Sequence, residues 1–251
     1  MRSDMNTINR VAIVTGAASG IGKAIAFSLS QSNHQIVIAD LSESGAAVAE
    51  DINNSGRKAV FYNVDVSIKG SVEEFVHQID EQFGRIDILV NNAGIRPTDK
   101  FREMDFEDWD KVMKVNLYSS FYFCSTVLPI MERNRWGRII NISSLAAQQG
   151  STGGHSHYAA SKAGIVGLSK SLAREYGRSG ITVNIIAPGW IDTPGWGVAL
   201  DGKREQFAEK VPVGRIGQPK DVADAVSFLA SDNAEYITGI TLPINGGLYI
   251  S

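Results

Sequence analysis

Seven short runs rich in Val and Ile recur along the chain: VAIVT, QIVIAD, AVFYNVDV, DILVNNAG, GRIINISS, ITVNIIAPG and ITLPING. They read as buried strands, and the longer segments between them carry a helical period. In SVEEFVHQIDEQFG, for example, Val72, Phe75, Val76, Ile79 and Phe83 fall on one face and Gly84 closes the turn. Strands alternating with helices build βαβ units, which require a mostly parallel sheet covered on both faces. No linker or low-complexity tract interrupts the alternation, so residues 1–251 are expected to form a single α/β domain. In such sheets ligands bind outside the carboxyl ends of the strands, and the residues just after each apolar run are the functional candidates.

Composition narrows the partners. The net charge of −3 comes from interspersed Lys, Arg, Asp and Glu, leaving no basic stripe for phosphate neutralisation and arguing against nucleic acid. Residues 1–10 lack the apolar core of a signal peptide, and no run reaches the roughly 20 apolar residues that cross a bilayer. A cytoplasmic protein without a membrane role is the expectation. The single cysteine, Cys124, has no intramolecular disulfide partner and lies in the apolar run LYSSFYFCSTVL, as a buried small hydrophobe would.

The stretch VAIVTGAASGIGKAIAFSL sets a strand, then glycines at 16, 20 and 22, then a helix carrying Ile25, Ala26 and Leu29. Glycines permit a tight turn and close approach of backbone to a pyrophosphate, whose charge is favoured by free N–H groups at a helix start. Ala17, Ala18 and Ser19 keep that path open. The spacing is T-G-x-x-x-G-x-G rather than G-x-G-x-x-G, an approximate match to the general dinucleotide fingerprint. Asp40 ends the second run 18 residues beyond Gly22, close to the ~20 at which a carboxylate grips the adenosine ribose. Its alternative role is to cap a helix starting near Ser42.

GHSHYAASKAG, residues 154–164, offers two chemistries. His155 and His157 have no further Cys, His or carboxylate ligands around them and make a weak zinc pair. Tyr158 and Lys162 stand four apart in a helical composition and share a face. Lowering a phenol's pKa from about 10 by ~3 units takes about 4 kcal/mol. One ammonium 4 Å away supplies about that at an effective dielectric near 20. A Tyr and Lys at this spacing also occur on ordinary solvated faces, so other strand ends must support the pair. Ser143 and Ser144 end GRIINISS with hydroxyls able to hold a carbonyl oxygen, unless they serve as a turn or cap. NNAG ends another strand with two amides able to cross-link loops, and Asn116 is an amide inside a helical stretch, unfavourable there without a partner.

With TGAASGIG, NNAG, Asn116, Ser144 with YAASK, and APGWIDT in this order, the sequence resembles the short-chain dehydrogenase/reductase family over nearly its whole length. The resemblance implies a Rossmann-type doubly wound parallel sheet of about seven strands, a nicotinamide dinucleotide and no metal. It makes Tyr158 the acid–base and Lys162 the group that lowers its pKa and binds the nicotinamide ribose. Ser144 would orient the substrate oxygen, and Asn116 would hold a water linking Lys162 to solvent. Gly16, Ser19 and Ile21 would surround the phosphates, with Asp40 and Leu41 at the ribose. Asp65 and Val66 would meet the adenine, and Asn92 and Gly94 the adenosine side. Pro188, Gly189, Ile191 and Thr193 would face the carboxamide, followed by a substrate lid around 190–212. His155 would face the substrate, His157 would pack in the loop, and His34 and His77 read as surface. Ser144 precedes Tyr158 by 14 residues, one more than in many members, which leaves Ser143 as the alternative orienting hydroxyl. A homotetramer is implied, built on helices expected over 107–133 and 157–178, with Trp109, Val112, Phe121 and Phe123 among their apolar residues.

Hydride exchange between the nicotinamide and a ketone or secondary alcohol is the implied reaction. The second half of the chain is most similar to 3-oxoacyl-(acyl carrier protein) reductases, with Arg135 and Arg178 at or beside positions where those enzymes present arginines to the carrier. Asp40 is unusual for that NADPH-using group and points to NAD, while Trp190 and Trp196 in the lid would suit a sugar, polyol or cyclic alcohol. A non-enzymatic dinucleotide-binding protein on the same fold is the other class of reading. It has no need of Ser144, Tyr158 and Lys162 together.

Overall fold

Each of the seven apolar runs contains one strand. The computed structural model describes residues 10–151, 153–195 and 202–250. Its strands are β1 (Val11–Thr15), β2 (Gln35–Asp40), β3 (Lys58–Asn63), β4 (Ile88–Asn91), β5 (Gly137–Ile142), β6 (Ile181–Pro188) and β7 (Thr241–Ile244), in one sheet of order β3-β2-β1-β4-β5-β6-β7. Every pairing is parallel, with Val14 beside both Ile38 and Val90 and with Ile142 beside Ile186. The order reverses between β1 and β4, and there the connections leave to opposite faces and open a crevice at the carboxyl edge.

Alternate residues of each strand feed two cores. Ala12, Val14, Ile36, Ile38, Ile88 and Val90 face one side, together with α1 (Gly20–Gln31) and α2 (Ser44–Asn54). Val11, Ile13, Val37, Ala39 and Leu89 face the other, against α3 (Lys69–Phe83). Gly84 ends α3 at φ 68°, a left-handed position that suits a residue without Cβ. The second core also takes the chain from α4 (Phe106–Met113) through a π-helical turn, Lys114–Tyr118, into α5 (Ser119–Asn134). After β5 come α6 (Ala146–Gln149) and α7 (Ser156–Tyr176), and after β6 α8 (Arg204–Ala208) and α9 (Pro219–Ala230). Among the described residues no helix is long and apolar enough to cross a membrane.

Three details differ from the sequence reading. Val112 and Phe123, expected on a subunit interface, are fully buried in the chain's own core, whereas Phe121 stays 51% exposed and Tyr118 40%. His34 is half-buried, and burial lowers its pKa, while His77 is on the surface as expected. Arg135 and Arg178 are exposed but sit just before β5 and β6, at the amino edge of the sheet. The parallel strands carry the catalytic candidates to the opposite edge, so within one chain these arginines do not flank the crevice.

Candidate active site

The glycine turn is shaped as much by the protein as by any ligand. A Cβ on Gly16, at φ 64°, would lie 2.8 Å from the Ala93 backbone, and one on Gly22 would lie 2.2 Å from the Gly16 carbonyl. Both glycines are therefore required for packing the turn on itself and on the loop after β4. Asn92 locks that junction by donating from Nδ2 to the carbonyls of Thr15 and Gly16, each at 2.9 Å. The start of α1 has no side-chain cap and no acidic residue in its first turn. Its free N–H groups lie along a groove of about 1100 Å³ lined by Gly16, Ser19, Ile21 and, further out, Asp40.

Asp40 is braced from two directions. One carboxylate oxygen accepts the Ala18 N–H at 2.8 Å and the other the Ser42 N–H at 2.9 Å. It does not cap α2, whose N-cap is Glu43. Leu41, Asp65, Val66, Asn92 and Gly94 line the same groove, and Asp65 is held by the backbone and hydroxyl of Ser67.

A second cleft of about 840 Å³ continues from the first, sharing Ile21, Asn92, Gly94, Ile95 and Thr193. Ser144, Tyr158, Lys162, Pro188, Gly189, Trp190 and Ile191 all line it. Tyr158 is in the first turn of α7, and Lys162 follows one turn later. Ser144 lines the cleft beside the Tyr158 phenol and accepts the Ala146 N–H at 3.1 Å, whereas Ser143 is buried and donates its hydroxyl to the Lys162 carbonyl at 2.8 Å. Ser144 is thus the hydroxyl beside Tyr158. The short α6 lies in the segment between Ser144 and Tyr158.

Lys162 is buried and donates from Nζ to the Ile142 carbonyl, the last of β5, at 2.8 Å. Burial lowers its pKa to about 8. Tyr158 shifts the other way from expectation: burial raises its pKa, against smaller downward pulls from the Ser144 hydroxyl and the Arg96 charge. Lys162 Nζ lies 5.8 Å from the phenol ring centroid, with one of its three donors on the Ile142 carbonyl. In the free chain near neutrality the phenol therefore keeps its proton.

Asn116 owes its position to the π-helical turn, a local widening that recurs at functional sites. Its Oδ1 accepts the Ile95 N–H at 2.8 Å, and its Nδ2 donates to the Ile95 carbonyl at 3.0 Å and to Ser161 Oγ at 3.1 Å. Ser161, which sequence reasoning did not single out, passes the contact on to the Tyr158 carbonyl at 2.8 Å. A Cβ on Gly94 would stand 3.2 Å from Asn116 Oδ1 and 3.4 Å from Lys162 Nζ, so the two groups converge on one spot.

The histidines turn away from the cleft. His155 is buried and donates from Nδ1 to the Pro97 carbonyl at 2.8 Å, not toward a substrate. His157 packs fully buried, as expected: its Nδ1 accepts the Tyr158 N–H at 2.9 Å and its Nε2 faces the Asp99 carboxylate at 3.2 Å. Among the described residues no three His, Cys, Asp or Glu side chains are grouped to hold a metal. Cys124 is buried, and burial pushes its thiol up to about 12, far from reactivity at neutral pH. In the segment expected as a lid, Trp190 stacks edge-on to Phe207 at 4.8 Å, Asp192 pairs with Arg204, and Ile191 bridges to Gly217. Trp196 lies outside the described residues.

A buried ammonium strains the fold. Lys162 titrates at 10.5 in an unfolded chain and about 8 when folded. The cost is fully present below pH 8 and is relieved as pH rises from 8 to 10.5. At 1.36 kcal/mol per unit it is about 3 kcal/mol, of which losing the Ile142 bond would return about 1. Lys162→Met is expected to be more stable than wild type by about 2 kcal/mol at pH 7 and less stable by no more than about 1 kcal/mol at pH 10.5, where the cost is relieved and the lost Ile142 bond remains. Denaturant titration at both pH values checks this, and an equally destabilised variant at both would show that the Ile142 bond dominates.

Comparison with known proteins gives a consistent result. The family model described as enoyl-(acyl carrier protein) reductase matches residues 16–249. The chain is 46% identical over 243 residues to the 3-oxoacyl-(acyl-carrier-protein) reductase FabG of Haemophilus influenzae, covering 96% of this chain and 99% of the relative. It is 43% identical over 246 residues to the protein of that name from Escherichia coli, covering 98% and 100%. A solved structure titled "Crystal structure of gox2181" superposes with a TM-score of 0.92 at 36% identity, covering 96% of this chain and 95% of that one.

Proposed function

The chain belongs to the short-chain dehydrogenase/reductase family, and from that premise we propose that it reduces 3-oxoacyl thioesters, with NAD(H) as the preferred nicotinamide dinucleotide. The observation that carries this is the meeting of the Ser144 and Tyr158 hydroxyls in the cleft beside buried Lys162.

The residues present fit a dinucleotide. Free N–H groups at the start of α1 suit a pyrophosphate, the braced Asp40 suits ribose hydroxyls at one end, and Tyr158 and Lys162 stand at the other. When bound, the nicotinamide supplies or accepts a hydride. The chain's own residues manage the proton and the oxygen. Ser144 and Tyr158 offer two O–H groups to one acceptor, which matches a carbonyl oxygen. Tyr158, protonated in the free chain, then donates to that oxygen as it becomes an alkoxide. Lys162, charged below about pH 8, favours the phenolate left behind. Asn116 and Ser161 fix the backbone around the pair.

The relatives' names support an acyl carrier as the donor of the thioester. Since Arg135 and Arg178 lie at the far edge of the sheet, a carrier using them would reach the cleft of a different subunit. The exposed Phe121 and Tyr118 support the homotetramer in which α5 is covered. A panel of acyl thioesters, sugars and simple secondary alcohols, run with NADH or NAD as direction requires, tests the reading. Short 3-oxoacyl thioesters are expected to give the highest kcat/KM; a sugar or polyol ahead of them by tenfold would overturn it.

A further inference from the structure

Arg96 is a cation of the catalytic cleft that no carboxylate answers. Its guanidinium carbon lies 5.9 Å from the centroid of the Tyr158 ring. The cleft it lines also holds Lys162, and among the described lining residues there is no Asp or Glu. Elsewhere Arg10, Arg85, Arg133, Arg204 and Arg215 each grip an aspartate; Arg96, like Arg57, Arg138 and several others, has no ion pair among the described residues, and it is Arg96 that lines the cleft. Two cations in a concave site without a counter-charge favour an anionic ligand.

The backbone that presents Arg96 is pinned on both sides. Before it, both polar groups of Ile95 are bonded to the Asn116 amide. After it, the Pro97 carbonyl accepts from His155, and the Asp99 N–H donates to the Gly154 carbonyl at 2.8 Å. The loop's own carboxylate, Asp99, is turned to His157. Arg96 is itself exposed to solvent, and the pinned backbone on either side sets where its side chain starts, at the wall of the cleft near Tyr158.

We propose that Arg96 is a specificity-determining residue that binds a carboxylate of the substrate, so that the cleft also takes small 3-oxo and 3-hydroxy acids as free anions. The inference rests on the reading of Tyr158 as the proton donor. In a 3-oxo acid the carboxyl carbon is two bonds from the reacting carbon. With the ketone oxygen at Ser144 and Tyr158, a carboxylate directed toward the Arg96 side of the phenol ring can have both its oxygens taken by the planar guanidinium fork. The carboxylate is unchanged in the reaction; the ketone carbon gains the hydride and the ketone oxygen the Tyr158 proton.

The test compares 3-oxobutanoate, its ethyl ester and its N-acetylcysteamine thioester with wild type, Arg96→Gln and Arg96→Lys. Arg96→Gln is expected to lose about 30-fold in kcat/KM on the free acid, chiefly through KM, as for a charged hydrogen-bonded pair, and less than threefold on the ester and thioester. Arg96→Lys should recover part of the loss on the acid alone. Equal losses on acid and ester, or none on the acid, would overturn the proposal while leaving the reductase reading intact. If wild type reduces none of the three with either cofactor, that reading fails, and calorimetric titration of butanoate into the chain still decides: affinity weakened at least tenfold by Arg96→Gln supports the carboxylate site, and equal affinity refutes it.

Discussion

Tyr158→Phe is expected to lower turnover by about a thousandfold while leaving dinucleotide affinity within about twofold. General acid–base catalysis by a placed side chain contributes 10²–10⁴-fold, and here no neighbouring group can replace the phenol. Ser144 has a hydroxyl at the same spot but too high a pKa to give up its proton, and Lys162 is held by the Ile142 carbonyl. The substitution removes one oxygen and leaves the ring in its place against Arg96 and Lys162. Nothing in the groove around α1 changes, which is why binding should survive. Steady-state rates and a fluorescence titration of the reduced dinucleotide measure the two quantities. Retention of a tenth of the wild-type rate would remove Tyr158 from the role of proton donor, and Ser144→Ala, which keeps the phenol, should fall less far.

The fold was legible because its signal is spread over the whole chain. Seven buried parallel strands must be continuous apolar runs, and helices covering them must carry one apolar face, so each element repeats the same information. That the catalytic candidates share one cleft was legible for a different reason: Tyr158 and Lys162 are near in sequence, and Ser144 and the amides of NNAG stand at strand ends. What the sequence hid depends on contacts between distant segments. That Gly16 and Gly22 are demanded by Ala93 and by the turn itself follows only from the packing of β1 on β4. His155 has a polar ring three residues before Tyr158, a reasonable spacing for a substrate contact. Its direction is set instead by the Pro97 carbonyl, 58 residues away in sequence. Arg96 and Ser161 gave no signal of their own, since an arginine in a loop and a serine in a helix are ordinary until their neighbours are seen. The upward shift of Tyr158 in the free chain comes from burial that it shares with Lys162, which their spacing in the sequence does not show.

NAD is expected to exceed NADP by about a hundredfold in kcat/KM. The Asp40 carboxylate is fixed by the Ala18 and Ser42 amides at the rim of the dinucleotide groove, and each oxygen keeps a lone pair for a ribose hydroxyl. A 2′-phosphate placed there meets a like charge and loses that charge-assisted bond, together about 3 kcal/mol, or roughly a hundredfold at 1.4 kcal/mol per tenfold. Compensation by a cation is poor. Leu41 and Ser42 follow Asp40, and the groove's lysines, Lys111 and Lys114, share their wall with Glu107 and Asp110, the latter 3.4 Å from Lys114. Asp40→Ala should narrow the preference by relieving the repulsion without reversing it, since no arginine arrives to hold the phosphate. It should also lower stability by about 1 kcal/mol, because the Ala18 amide loses its acceptor. Comparable kcat/KM for the two cofactors in the wild type would reduce Asp40 to a brace for the glycine turn, and would leave an NADPH-linked carrier reductase as the reading that survives.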